Sequence, residues 1–158
     1  DIVKKFVQYP QYFHQFSSCN RNFALQGSKN LIGKLWCGEC PKCAFVFLLL
    51  AAFIPKSDVT SIFHHNLLSN DRLLTTYKEL LGIEGVKPFE CVGTPEEVLD
   101  AFASVIEHGE YENDGIIRTL SFVINDKLKD KKVFIDNVLT LSKKHLIPPE
   151  FTDVIKQI

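Results

Sequence analysis

Five cysteines carry most of the chemistry this sequence can offer, and four of them stand at a spacing that a metal ion would use. Cys37, Cys40 and Cys43 follow one another at C-x2-C-x2-C, and Cys19 lies upstream, giving C-x17-C-x2-C-x2-C. Four thiolates complete a tetrahedral zinc shell. A CxxC turn containing Gly38 lets the backbone fold back so that two sulfurs lie roughly 2.3 Å from one ion, and Cys43 reaches it from the first turn of a following helix. Binding free energy would then add to folding free energy, fastening the opening segment to that helix. The same residues have other uses. CxxC alone serves thiol redox chemistry, and cysteine runs hold iron and sulfur, although the usual ferredoxin run continues C-x3-C-P where this one continues into AFVFLLL. A disulfide network fits least: five is an odd number, and Cys37 to Cys43 are too crowded to pair independently. A reducing compartment is expected.

The elements that must position these thiols follow from local signals. Pro41 suits the first turn of a helix, and Lys42 to Ile54 contains no breaker before Pro55, so a three-turn helix buried nearly all round follows the cysteines directly. Upstream, the aromatic-rich opening, interrupted by Pro10, is a helical turn or a strand, and Gly27, Ser28, Asn30 and Gly33 mark a loop. Downstream, SDVTSIFHHNLL and NDRLLTTYKELLG predict two shorter helices, the second with Asn70 as N-cap and Gly82 past its end. IEGVKPFECVG reads as a loop. Thr94, Pro95 and Glu97 then form a capping box for TPEEVLDAFASVIEHG. GIIRTLSFVINDKLKD and KKVFIDNVLTLSKKH repeat apolar residues at helical spacing, and a last helix can begin after Pro149. The fold class is mainly α: a multi-helix domain with an N-terminal four-cysteine zinc knuckle. Residues 1–56 form the knuckle segment ending in the buried helix, and 57–158 a helical region packed on it as one compact unit.

Composition narrows the functions. The 158 residues are 46% hydrophobic and 23% charged, with 18 Lys and Arg against 19 Asp and Glu, so the chain should fold, and its length suits one domain. A net charge of −1 removes the usual warrant for duplex nucleic acid. The first 56 residues are mildly basic, with Lys4, Lys5, Arg21, Lys29, Lys34, Lys42 and Lys56 against Asp1 and Glu39, which suits either an anionic ligand or plain solvation. The longest apolar run, Ala44 to Ile54, falls short of the ~20 residues a membrane span needs. No signal-peptide pattern opens the chain, and the absence of Met predicts a fragment of a longer reading frame.

Two motifs together carry a resemblance. SSCNRNF followed by WCGECPKCAFVFLLLAAFIP resembles the cysteine cluster of PP-loop ATP pyrophosphatase relatives such as 7-cyano-7-deazaguanine synthase, where it binds structural zinc. With KPFECVGTPEEV added, the chain resembles the C-terminal part of the UDP-N-acetylmuramoyl-L-alanyl-L-glutamate epimerase (MurL) family, over Ser17–Phe23, Trp36–Pro55 and Lys87–Val98. The resemblance implies an ATP-dependent inversion of the terminal L-Glu of a peptidoglycan precursor in a bacterial cytoplasm, the substrate being the UDP-linked muramoyl dipeptide. It also implies a larger α/β parent whose upstream PP-loop half would hold ATP and Mg. No SGGxDS-like phosphate loop occurs in this chain, so alone it is not expected to bind ATP.

That reaction needs a base to remove the α-proton and an acid on the other face to return one. Cys91, outside the metal set and four residues after Lys87, is the candidate proton-transferring thiol; its ordinary reading is a small buried core residue. Arg21 could bind a phosphate or carboxylate in a fork, or be a cap or an ordinary surface arginine. Lys42, between two ligands, could touch substrate or compensate thiolate charge. His64 and His65, adjacent on a predicted helix, diverge by about 100° and cannot share an ion. A zinc-stabilised interaction module without catalysis, and another PP-loop enzyme acting on a nucleobase or nucleotide, are the rival functions.

Overall fold

α2 (Pro41–Ala51), PKCAFVFLLLA, has almost no polar residue to offer water and must therefore be surrounded. In the computed structural model, which describes residues 2–22, 34–130 and 148, it is. Pro41 occupies its first turn, where a missing N–H costs nothing. Cys43, Ala44, Phe47, Leu48, Leu50 and Ala51 are buried. α3 (Lys56–Phe63), α4 (Leu74–Leu80) and α5 (Pro95–His108) all pack on it, and α6 (Gly115–Asp130) packs on α5. No strand occurs among the described residues, so the mainly helical expectation holds for them. No described helix is long and apolar enough to cross a membrane.

α5 is the most completely encoded of these helices. Thr94 Oγ1 accepts the Glu97 N–H at 3.3 Å while Glu97 Oε2 accepts the Thr94 N–H at 2.9 Å, closing the expected capping box. Val98, Leu99, Ala101, Phe102 and Val105 bury one face against α2 and α6, each large side chain contributing about 1.5–3 kcal/mol by leaving water. Gly109, at φ 75°, ends the helix in the left-handed conformation.

Two helix ends differ from the periodicity. α3 stops at Phe63, and His64 adopts φ 62°, so His64 and His65 stand beyond the helix in an exposed turn rather than on its face. Apolar residues continue through Leu67 and Leu68, which are buried, but in a 3-10 turn capped by Asn66 Oδ1 on the Leu68 N–H. Asn70 likewise caps a 3-10 turn, Asp71–Leu73, and α4 begins only at Leu74. Asn and Asp side chains offer the backbone a local alternative to the helical ladder, and that alternative wins at both sites. The predicted helices in KKVFIDNVLTLSKKH and after Pro149 lie outside the described residues.

The opening segment is helical at α1 (Ile2–Phe6), which settles its class. An aromatic series then leads inward: Phe6 meets Phe16 at 4.6 Å, Phe16 meets Trp36 at 5.2 Å, and Trp36 meets Phe63 at 4.7 Å between ring centroids. Phe63 continues it to Phe47 of α2 at 5.2 Å. Edge-to-face and tilted pairs of this kind add about 0.5–1.5 kcal/mol each beyond area burial.

A polar clasp closes the far side. Asp114, ahead of α6, accepts from Lys56 Nζ at 2.8 Å and from Asn66 Nδ2 at 2.9 Å. Lys56 also donates to the Glu110 carbonyl at 3.2 Å and lies over the Tyr111 ring. Burial holds the Tyr111 phenol above its usual range. The clasp joins the start of α3 to the α5–α6 turn.

Candidate metal centre

Cys19, Cys37, Cys40 and Cys43 place one sulfur each within 4.8 Å of all the others. Cys40 and Cys43 Sγ are 3.4 Å apart, Cys37 and Cys43 3.6 Å, and Cys19 and Cys40 3.9 Å. A tetrahedron of thiolates around one zinc, with arms of 2.3 Å, has edges of about 3.8 Å. The four cysteines named by spacing are thus one cluster of the size that a single metal ion fits.

The local sequence explains how they converge. Gly38, at φ 73°, supplies a left-handed turn that a side chain would strain, and it reverses the chain between Cys37 and Cys40. Pro41 then starts α2, so Cys43 projects from its first turn. The Cys19 turn is tied to the strip before Cys37 by side chains: Ser17 Oγ donates to the Leu35 carbonyl at 2.5 Å, and Asn22 Nδ2 donates to it at 3.3 Å. Backbone N–H groups address the sulfurs, that of Cys37 pointing to Cys19 Sγ and that of Glu39 to Cys37 Sγ, both at 3.4 Å. Such donors favour thiolate.

The electrostatics divide the thiols. Hydrogen bonds from Cys40 and then Cys43 hold the Cys37 thiol far below its usual range. Its bond with Cys37 pushes Cys40 up to about 11, and bonds with Cys37 and Cys40, with burial, push Cys43 higher still. One thiolate in this cluster opposes the next, because each further negative charge enters a buried and already negative site. A divalent cation at the centre reverses that order and makes every sulfur an anion.

The other candidates fall around this cluster. Arg21 Nη1 pairs with Glu39 Oε2 at 2.5 Å, so its guanidinium is committed to the loop between Cys37 and Cys40, and both side chains are more than half exposed. That bond raises the Arg21 pKa. Lys42 Nζ donates to the backbone carbonyl of Cys91. Cys91 itself is exposed, which corrects the reading of a buried core thiol. The loop is held close because position 93 is glycine. A Cβ there would lie 2.6 Å from Glu97 Oε2 and 2.7 Å from Phe45 Cζ, so no other residue fits without displacement. Trp36, 2% exposed, is buried between Phe16 and Phe63.

The structure therefore gathers SCNR, CGECPKC and PFECVG at one place. Spacing found the four clustered cysteines but not the contact from Lys42 to Cys91, which spans 49 positions and has no local signature. It also missed Asp114, whose partners come from the start of α3 and the turn after it.

Fold and site define the class: a helical domain whose N-terminal segment is joined to its central helix at four converging cysteines that could hold a metal ion. The chain belongs to the MurL C-terminal domain family, which matches residues 15–134. It is similar to proteins named UDP-N-acetyl-alpha-D-muramoyl-L-alanyl-L-glutamate epimerase. That of Xanthomonas oryzae pv. oryzae is 34% identical over 155 residues, covering 98% of this chain and 34% of the relative. Those of Micromonospora sp. and Salinispora tropica are 35% identical over 156 residues and 39% over 119, covering 34% and 25% of the relatives. The chain thus spans about a third or less of the curated relatives it matches. No solved structure matches it.

Proposed function

We propose that this chain is the zinc-bearing C-terminal portion of an ATP-dependent epimerase that inverts the terminal L-Glu of UDP-N-acetylmuramoyl-L-Ala-L-Glu to D-Glu. The observation that carries the reading is the family match across 15–134, joined to the name borne by the relatives. The ATP and Mg site belongs to an upstream PP-loop half of the longer protein, and the reaction belongs to cell-wall precursor synthesis in a bacterial cytoplasm.

The four sulfurs are the zinc ligands, and their crowding around one point favours a single ion over a cluster, in which the cysteines are shared among several irons. Zinc supplies charge neutralisation and cross-bracing. With all four positions taken by sulfur, the site is structural. The chain's own residues do the rest. Lys42 holds the Cys91 backbone against the brace, leaving the thiol exposed to act as base or acid at the glutamyl α-carbon. Activation of the adjacent carboxylate by ATP makes that proton easier to remove.

The test is inversion by the complete protein in D2O, followed by chiral analysis of the released glutamate. ATP-dependent formation of D-Glu carrying deuterium at the α-carbon is expected. Cys91→Ser should lower kcat at least about 100-fold, the low end of the range for a general acid or base, with metal content unchanged. Full activity in Cys91→Ser would remove the thiol from the mechanism. Absence of inversion under every nucleotide condition would sink the epimerase reading and favour the non-catalytic module.

A further inference from the structure

We propose that the cleft between the metal loop and the start of α4 is an oxyanion-binding subsite with Arg72 as its cation. The cleft encloses about 340 Å³ and is lined by Glu39, Asn70, Arg72, Leu73 and Thr76. Among the described residues, neither the Arg72 guanidinium nor the Thr76 hydroxyl has a side-chain partner, although a carboxylate lines the same cleft. That carboxylate is Glu39, and Arg21 already neutralises it at 2.5 Å. Arg72 is the cation that lines the cleft, and Arg21, which does not line it, occupies the carboxylate on the facing wall. An Arg with its fork unused beside a free hydroxyl is a donor set, and it fits a carboxylate or phosphate group.

The backbone that carries Arg72 is fixed in place. Asn70 Oδ1 accepts the Arg72 N–H at 3.2 Å, and Leu73, 3% exposed, roots the turn in the core. The opposite wall is the Gly38–Glu39 turn between Cys37 and Cys40, whose shape the metal would set. A volume near the lower end for ligand pockets admits one anionic arm rather than a whole nucleotide-linked peptide. On the function proposed above, and resting on it, that arm is either the terminal glutamyl dicarboxylate or the diphosphate of the substrate.

The experiment is an amide NMR titration of the zinc-loaded chain with glutarate, with inorganic pyrophosphate, and with neutral glutaramide as control. Saturable shifts centred on Asn70–Thr76 are expected with at least one anion and none with glutaramide. Glutarate alone assigns the carboxylate arm, and pyrophosphate alone the phosphate arm. Arg72→Gln should weaken binding about tenfold, the effect of one lost charge-assisted bond. Thr76→Val should weaken it less, and Arg118→Gln, an exposed arginine on α6 outside the cleft, should leave it unchanged. Absence of saturable shifts, or equal losses in Arg72→Gln and Arg118→Gln, would overturn the subsite. Because the readout is binding, epimerisation can fail while the subsite stands, and the subsite can fail while epimerisation stands.

Discussion

The chain has two kinds of cysteine within one contact of each other. Cys19, Cys40 and Cys43 are at most 3% exposed, and with the half-buried Cys37 they converge on one point; Cys91, across the Lys42 tether, is exposed and stands outside that group. The first environment joins parts of the chain and tolerates no change of atom. The second leaves a thiol accessible on a backbone held by its carbonyl and by the closeness of Gly93 to Phe45. Residue type is the same in both, so the difference lies in what surrounds the sulfur: other sulfurs and backbone donors in one case, water in the other.

The contrast is sharpest in Cys43→Ser against Cys91→Ser. Structural zinc contributes about 10–16 kcal/mol, as much as the whole stability of most domains, so Cys43→Ser should abolish both bound metal and a cooperative thermal transition. Plasma mass spectrometry and a melting scan read both. Acid should act in the same direction as that substitution: ligands must be thiolates, metal binding releases protons, and zinc affinity should therefore rise with pH and be lost as pH falls. Metal release by Cys91→Ser would break the comparison outright.

Smaller effects separate the brace from the rest of the fold. Asp114→Ala strands Lys56 and Asn66 at the clasp and should cost about 1–3 kcal/mol in denaturant unfolding without altering metal content. Thr94→Ala removes the α5 cap for about 1 kcal/mol, by the same measurement. Arg21→Ala breaks an exposed ion pair and should cost less than about 1 kcal/mol. Cys91→Ser closes the series within about 0.5 kcal/mol of the parent, as expected for a solvent-facing side chain.

Much of this was legible beforehand wherever the signal is local. The capping box at Thr94, Pro41 at the head of α2 and the chain reversal at Gly38 each depend on residues within a few positions, and each stands as read, the structure adding that Gly38 is left-handed. The apolar tract after Cys43 had no polar face, which is itself the statement that other helices must cover it. Reading failed where two local solutions compete. Around Asn66 and Asn70 the apolar spacing continued, but side-chain capping drew the backbone into 3-10 turns. It failed again at Cys91, where the usual preference of thiols for the interior was set aside because the loop is laid over α2 by a glycine contact and a lysine.

The amino-acid sequence by itself determined which four cysteines form the cluster, where the helix that carries Cys43 begins, and the family to which the chain belongs. These follow from sterics and hydrogen bonds acting over fixed short offsets. Only the tertiary structure decided that Lys42 meets the Cys91 carbonyl, that Arg21 pairs with Glu39 while Arg72 lines the same cleft as that carboxylate, and that Asp114 sits between Lys56 and Asn66. Those contacts span tens of residues and exist because α2 must be covered on all sides. How its neighbours share that task is a packing outcome, which no short stretch of chain contains.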